Sequence, residues 1–461
     1  MLLKFFYDPS LAQASYMVGC QTCGEALVVD PMRDITPYLE AAAAENLRIA
    51  HVAETHIHAD YVSGSRELAA ATNARLYLSA EGGPDWQYAF ASDDTQLLRD
   101  GDCFDVGRVR IEALHTPGHT PEHLIFLLTD TAAADQPMGL FSGDCLFVGD
   151  IGRPDLLETA AKIAGTKEEG ARQQYANIQR LKAMPDYLQV WPGHGTGSAC
   201  GKALGAVPVS TLGYEKRFNP AFQFDNEATF VAWLLADQPE TPNYFGQMKQ
   251  VNKAGPALLR SLPAPAQLEG FILYEEVKNG ALVIDTRSLA DFRAAHVPGT
   301  LNITRADKFS SYAGEFVRYE QPTYLICEPE FVDPLLKELR AIGVDDIPGF
   351  FPPRELGKGL VPLQSIEAQT LARNLDAVYL LDVRGASEWR EGHVHGAHHL
   401  PLGQVAAHLD ALPRDRPIVV QCGTGVRSQI IASLLQKHGF PQVSNLEGGL
   451  DAWREAGLPL E

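Results

Sequence analysis

Four short segments concentrate the residues able to hold a metal ion: Thr55-His56-Ile57-His58-Ala59-Asp60, His115-Thr116-Pro117-Gly118-His119-Thr120, Ser142-Gly143-Asp144 and Trp191-Pro192-Gly193-His194-Gly195. Histidines two apart in an extended segment point the same way, so His56 and His58 can face one ion, while Asp60 adds an oxygen or an orienting hydrogen bond. Glycines and prolines in the other segments make sharp turns that present one side chain at a sheet edge, as a metal ligand requires. A fifth segment carries a different chemistry. In PIVVQCGTGVRSQIIASLLQKHG (417–439) a cysteine, Cys422, stands after an apolar strand and directly before a helix. Backbone N–H groups of Gly423, Thr424 and Gly425, with the helix N-terminus beneath them, favour an anionic sulfur there. Arg427 adds a charged fork for an incoming oxyanion.

The elements that must position these groups are short. Apolar runs at 26–30, 48–55, 74–79, 109–116, 123–129, 139–144 and 187–193 read as strands feeding loops. Helical patterns lie between them, such as ITPYLEAAAAEN, with Thr36 as N-cap before Pro37, and KEEGARQQYANIQRLKAM. The class expected is mixed α/β, with chemistry at strand ends. After a proline-rich linker at 252–267 a repeat begins. ALVIDTRSLADFRAAHVPGTLNI (281–303) matches VYLLDVRGASEWREGHVHGAHHLPL (378–402), and PTYLICEPEFVDPLLKELRAIG (322–343) matches the Cys422 segment. Units of this size are duplicated small domains. The expected domains are residues 1–257, 268–356 and 360–461.

The 461 residues carry 58 acidic and 38 basic side chains, a net charge of −20 that repels phosphate backbones and anionic membranes. Neither nucleic acid nor a membrane is expected as a partner. The N-terminal stretch meets Asp8 too early for a secretory apolar core, no membrane span is seen, and a cytoplasmic location is expected. Seven scattered cysteines suit a reducing compartment rather than a disulfide framework. Cys20 and Cys23 form a CxxC without a second pair, and are read as incidental.

HxHxD, PGHT, GD and PGHG in this order resemble the metallo-β-lactamase superfamily over about residues 1–255, which implies a four-layer αββα sandwich. Paired-zinc hydrolases of this fold have a histidine after the aspartate, where this chain has Tyr61, a poor ligand at neutral pH; a mononuclear site is expected. Together with GDIGRPD (149–155), the segments are similar to the persulfide dioxygenase branch. That resemblance implies one Fe(II) per chain, with zinc as the alternative occupant, on His56, His119 and Asp144. It leaves His58, Asp60, Tyr61 and His194 to orient ligands and water. It also implies that Arg153 binds a carboxylate of a thiol carrier, with a surface salt bridge as the alternative reading. Cys200, six residues after His194, either contacts substrate sulfur or is a small buried thiol.

Residues 360–461, with DVR (382–384) and LEGGLDAWREAGLP (446–459), resemble rhodanese, with Cys422 and Arg427 catalytic and Gly423 and Gly425 cradling the substrate. In the middle copy Cys327 is followed by Glu328, Pro329 and Glu330 and no arginine, so an inactive rhodanese-like domain is expected there. The implied function is oxidation of a low-molecular-weight thiol persulfide, of glutathione or coenzyme A, by dioxygen to sulfite, coupled to sulfur transfer that gives or uses thiosulfate. Two alternatives stand beside it: a zinc thioester hydrolase of the glyoxalase II type with an accessory sulfurtransferase, and a persulfide carrier or sensor without oxygenase activity. A homo-oligomer, dimer or tetramer, is expected.

Overall fold

A computed structural model describes residues 1–159 and 165–461. The chain divides into two compact units, Met1–Leu262 with Arg340–Gly343, and Pro263–Leu339 with Val344–Glu461. The first is built on two six-stranded sheets. One contains β1 (Leu2–Asp8), β2 (Gln13–Cys20), β3 (Glu25–Val29), β4 (Arg48–Ala53), β5 (Arg75–Ser79) and β6 (Gln96–Leu98), in that order across the sheet. The other runs, in chain order, β7 (Cys103–Val106), β8 (Val109–His115), β9 (Leu124–Asp130), β10 (Gly139–Gly143), β11 (Gln189–Pro192) and β12 (Ser210–Thr211).

Alternation along the strands explains the layering, because successive side chains leave opposite faces. On β9, Leu124, Phe126 and Leu128 enter the core between the sheets, together with Tyr16 and Val18 of β2. The intervening Ile125 and Leu127 face outward onto Ile178 and Leu181 of the helix Lys167–Lys182 and onto Phe230 and Leu234. On the far side Met17, Val28 and Val52 pack on Tyr38 and Ala42 of the helix Thr36–Ala44 and on Leu68. The result is the expected αββα sandwich. Two local expectations are corrected. Thr36 is the first helical residue rather than the cap, with its hydroxyl on Asp34 Oδ1 and Ile35 at the N-cap. Residues 252–254, assigned to a linker, belong to the helix Phe245–Ala254, and Asn252 is buried.

The second unit holds two five-stranded sheets of one topology. The first comprises β13 (Ala266–Gln267), β14 (Leu282–Asp285), β15 (Leu301–Asn302), β16 (Thr323–Ile326) and β17 (Gly349–Phe351), in spatial order β13-β17-β16-β14-β15. The second comprises β18 (Gln364–Ile366), β19 (Tyr379–Asp382), β20 (His398–His399), β21 (Ile418–Gln421) and β22 (Val443–Leu446), in spatial order β18-β22-β21-β19-β20. Every pairing in both sheets is parallel. The repeated Asp-x-Arg closes the same bidentate pair in each copy, Asp285–Arg287 and Asp382–Arg384. The helix Val426–Lys437 is buried from Ser428 to Leu435. Gln429 donates to Asn302 Oδ1 at 2.6 Å and Ser433 Oγ accepts from Asn302 N, so the first copy packs against the helix that follows Cys422. Among the described residues no helix is long and apolar enough to cross a membrane.

Candidate metal centre and thiolate loop

In the first unit, the residues picked out by type and spacing meet at one edge of the sandwich, just past the C-terminal ends of β3, β4, β8, β10 and β11. His119 Nε2 lies 3.4 Å and His56 Nε2 3.9 Å from Asp144 Oδ2. All three side chains are buried, and their ligand atoms lie within 4.8 Å of one another.

The hydrogen bonds around them fix which atoms face the centre. Thr55 Oγ1 donates its proton to Asp30 Oδ2 at 2.8 Å, so toward His56 Nδ1, 2.9 Å away, it can only accept. His56 therefore carries its proton on Nδ1 and turns the Nε2 lone pair inward. His119 Nδ1 donates to the Arg153 carbonyl at 2.9 Å and leaves Nε2 free in the same way. Burial pulls both imidazoles below their ordinary pKa, and the neighbouring histidines pull His56 down further. Both are neutral, as ligands must be. For Asp144, burial opposes charge, but His194 at 2.8 Å holds the carboxyl below the usual carboxylate range.

Other groups align this set, among them Asp30, His123 and Asn252, not read from the sequence. Asp30 sits at the end of β3 in the left-handed region (φ 50°), a strained conformation that persists because its surroundings use it. Its Oδ1 accepts from Thr55 N at 2.7 Å and lies 3.2 Å from His58 Nε2. His123 Nε2 accepts the backbone N–H of Asp144 at 3.0 Å and donates from Nδ1 to Thr116 Oγ1. Asn252 donates to the carbonyls of His58 and Tyr61 and accepts from Ser63 N, tying down the His-x-His-x-Asp loop. Gly193 is required by space: a Cβ there would stand 2.7 Å from Asp144 Oδ1. Thr55→Val removes the acceptor for His56 and strands Asp30 Oδ2. Metal affinity should fall about 10- to 100-fold, the usual cost of losing such a support, measured by chelator competition.

Whether an ion fits rests on the donors. His56 Nε2 and Asp144 Oδ2 are buried without a hydrogen-bond partner, a costly arrangement unless something binds between them. Two neutral imidazoles and a carboxylate at this spacing suit one divalent transition ion. A second set, Asp60, His194 and Cys200, also clusters. It fits an ion poorly, because His194 spends both ring nitrogens, Nδ1 on Asp144 and Nε2 on Asp60 at 2.6 Å. Burial would discharge His194, but the two carboxylates hold it well above its ordinary pKa, as an imidazolium. Burial also pushes the Cys200 thiol well up, with Asp60 and Asp144 adding to it. Tyr61 stays a neutral phenol, raised by burial and by Asp30, with its hydroxyl 3.0 Å from His58 Nε2.

Arg153, expected to meet a substrate carboxylate, has its guanidinium engaged within the protein. It forms a bidentate pair with Asp155 at 2.7 and 2.6 Å and donates to the Ala199 and Pro239 carbonyls and to Thr241. Its contribution to the centre is the backbone carbonyl that orients His119.

In the second unit, Cys422 follows β21, with Sγ 3.2 Å from the Gly425 N–H and 3.3 Å from Ser428 Oγ. Gly425 is the left-handed cap of the helix (φ 92°). Leu450 N and Asp451 N donate to the Cys422 and Gly423 carbonyls and hold the loop from behind. Gly449 permits this approach: at φ 60°, a Cβ would lie 2.5 Å from both carbonyl oxygens. Gly449→Ala should therefore cost about 1–3 kcal/mol of strain, read by urea unfolding, and displace the Cys422 loop. Arg427 does not stand free; it grips Glu388 at 2.6 and 2.7 Å. In the middle copy Cys327 is pushed up to about 12 by burial, which Arg305 opposes and Glu328 and Glu330 reinforce. Arg305 lies over the Phe331 ring and Pro329 occupies the start of the loop's short helix, so the anion cradle is absent among these residues.

Comparisons with known proteins agree with this architecture. Residues 9–194 match the family model of the metallo-beta-lactamase superfamily, and residues 367–456 match that of the rhodanese-like domain. A crystal structure of a metallo-beta-lactamase from Staphylococcus aureus subsp. aureus COL is 44% identical with TM-score 0.69, covering 77% of this chain and 99% of that one. The chain belongs to the metallo-beta-lactamase superfamily and carries a rhodanese-like domain at its C-terminal end. Among curated relatives, human persulfide dioxygenase ETHE1, mitochondrial, is 26% identical over 223 residues, 48% of this chain and 75% of that protein. A hydroxyacylglutathione hydrolase of Polaromonas sp. is 28% identical over 268 residues, 51% of this chain and 93% of that protein.

Proposed function

We propose that the chain is an iron(II) persulfide dioxygenase joined to a sulfurtransferase. Overall, at the first site, a persulfide RSSH, one dioxygen and one water give the thiol RSH, one sulfite dianion and two protons, with R the glutathione or coenzyme A moiety. The observation that carries this reading is the mononuclear donor set: two neutral imidazoles and an ionised carboxylate, beside a second position that His194 and Tyr61 cannot complete. Iron(II) on His56, His119 and Asp144 would leave open positions for dioxygen and a substrate thiolate. The protein's own contribution is orientation and charge. Thr55 and the Arg153 carbonyl fix the two tautomers, and the His194 imidazolium keeps Asp144 ionised. Asp60 Oδ1 and His58 Nδ1, buried without partners, can hold the water that enters the product.

Cys422 attacks the outer sulfur of a second RSSH, releasing RSH and leaving a persulfide on Cys422, and sulfite then attacks its outer sulfur to release thiosulfate and the Cys422 thiolate. Sulfite competes with Glu388 for the Arg427 fork. Glu388→Gln should lower the KM for sulfite, by no more than about fivefold, since a part-exposed ion pair is worth near 1 kcal/mol or less. The middle copy is an inactive rhodanese-like domain that serves as packing, its Asn302 buttressing the helix behind Cys422. The reading is tested with an oxygen electrode. One dioxygen should be consumed for each sulfite formed from glutathione or coenzyme A persulfide. Hydrolysis of a glutathione thioester without oxygen uptake would overturn it in favour of the zinc hydrolase.

A further inference from the structure

The geometry points to a dithiol redox site at the β2–β3 hairpin, formed by Cys20 and Cys23, that reduces low-molecular-weight persulfides without oxygen. The two cysteines flank a tight turn in which Cys23 N donates to the Cys20 carbonyl at 3.1 Å. Such a turn brings its end Cα atoms within about 7 Å, and a disulfide needs about 4.4–6.8 Å. The sulfurs also face a shared notch. Gly107, at φ 60°, lies opposite the turn, and a Cβ there would stand 2.7 Å from both Cys20 Sγ and Cys23 Sγ. Any other residue would fill the space in which the two sulfurs meet.

The two thiols are unequal. Cys23 is exposed and Cys20 is buried. Cys20 Sγ accepts the Arg108 backbone N–H at 3.3 Å. Burial opposes the Cys20 anion, but hydrogen bonds from Arg108, Cys23 and Thr22 bring its pKa below the ordinary thiol value, while the hydrogen bond to Cys20 raises that of Cys23. Cys23 receives the substrate because it is the exposed thiol, reacting through its thiolate fraction, and buried Cys20, favoured as the anion, is the resolving thiolate.

Cys23 attacks the outer sulfur of RSSH, releasing RSH and leaving a persulfide on Cys23. Cys20 then attacks Cys23 Sγ and expels hydrosulfide. In sum, one RSSH and the two protein thiols give RSH, one hydrosulfide anion, one proton and the Cys20–Cys23 disulfide: the sulfane sulfur is reduced and the two thiols are oxidised. Two further RSH regenerate the dithiol and leave RSSR. The choice of oxidant rests on the persulfide chemistry proposed above; the thiol pair itself does not depend on the metal centre.

The test is peptide mapping of the full-length protein after anaerobic exposure to glutathione persulfide and alkylation. A Cys20–Cys23 disulfide is expected, reversible by dithiothreitol, while exposed Cys103 yields none. Cys23→Ser, a change at an exposed position, should abolish the disulfide. Cys20→Ser should trap an extra sulfur on Cys23. Full alkylation of Cys20 and Cys23 as free thiols, under conditions that place sulfur on Cys422, would overturn the proposal. A chain that forms the disulfide but consumes no oxygen in air would support it while refuting the dioxygenase reading.

Discussion

His119→Ala should abolish both iron retention and persulfide-dependent oxygen uptake. The imidazole is one of three donors, and its Nε2 is 3.4 Å from Asp144 Oδ2. His123 is the nearest substitute by residue type, but its Nε2 already accepts the Asp144 N–H and its Nδ1 donates to Thr116. His194 is charged and bound at both nitrogens. The loss should exceed the roughly 10- to 100-fold cost of removing a supporting group. Folding should survive, because the anchoring pairs Asp30–Thr55 and Asp144–His194 remain. The measurements are metal content, oxygen consumption and circular dichroism on one preparation. Uptake at the wild-type rate would show that the donor set is misassigned.

Cys422→Ser should produce the opposite division: thiosulfate formation from persulfide and sulfite falls to the uncatalysed level, while oxygen uptake persists. Serine keeps the side chain's shape and the contact with the Gly425 N–H, but an alkoxide is inaccessible near neutral pH and cannot carry sulfane sulfur. The middle copy cannot compensate, since the Cys327 thiol is pushed up to about 12, chiefly by burial, in a loop without an arginine. Oxygen consumption and thiosulfate are followed together in one reaction. If the variant consumes no oxygen, the two chemistries are not separable in the way proposed.

What can be read from the sequence follows from how each residue acts. His56, His119, Asp144 and His194 announce themselves because they sit in turn motifs after apolar strands, and residue type and local spacing are enough. Asp30, Thr55, His123 and Asn252 act through hydrogen bonds between segments far apart in the chain. Asn252 reaches the His58 carbonyl from 194 positions away. Thr55 stands inside the His-x-His-x-Asp segment, and Asp30 and His123 leave a trace, an acidic residue closing the run ALVVD and a histidine opening HLIFLLT. Arg153 stands out in its motif, but apart from Asp155 its side-chain partners lie on two other segments, so a ligand role and a structural one look alike in sequence. In the fold, β1 is hard to see because MLLKFFYD has the apolar start of a leader as well as the composition of a strand. The repeat is legible because both copies keep Asp-x-Arg in the same buried pair, a constraint that survives the loss of the cysteine loop. The CxxC has no local sign of use, since the role proposed for it depends on Gly107, in the turn between β7 and β8 of the other sheet.

The most direct test of the central claim is the metal content of the full-length protein purified without air. One iron per chain, lost together with oxygen uptake on chelation and restored with it by iron(II) but not by zinc, is the predicted result. Two metal ions per chain, or a single zinc that supports thioester hydrolysis, would contradict it.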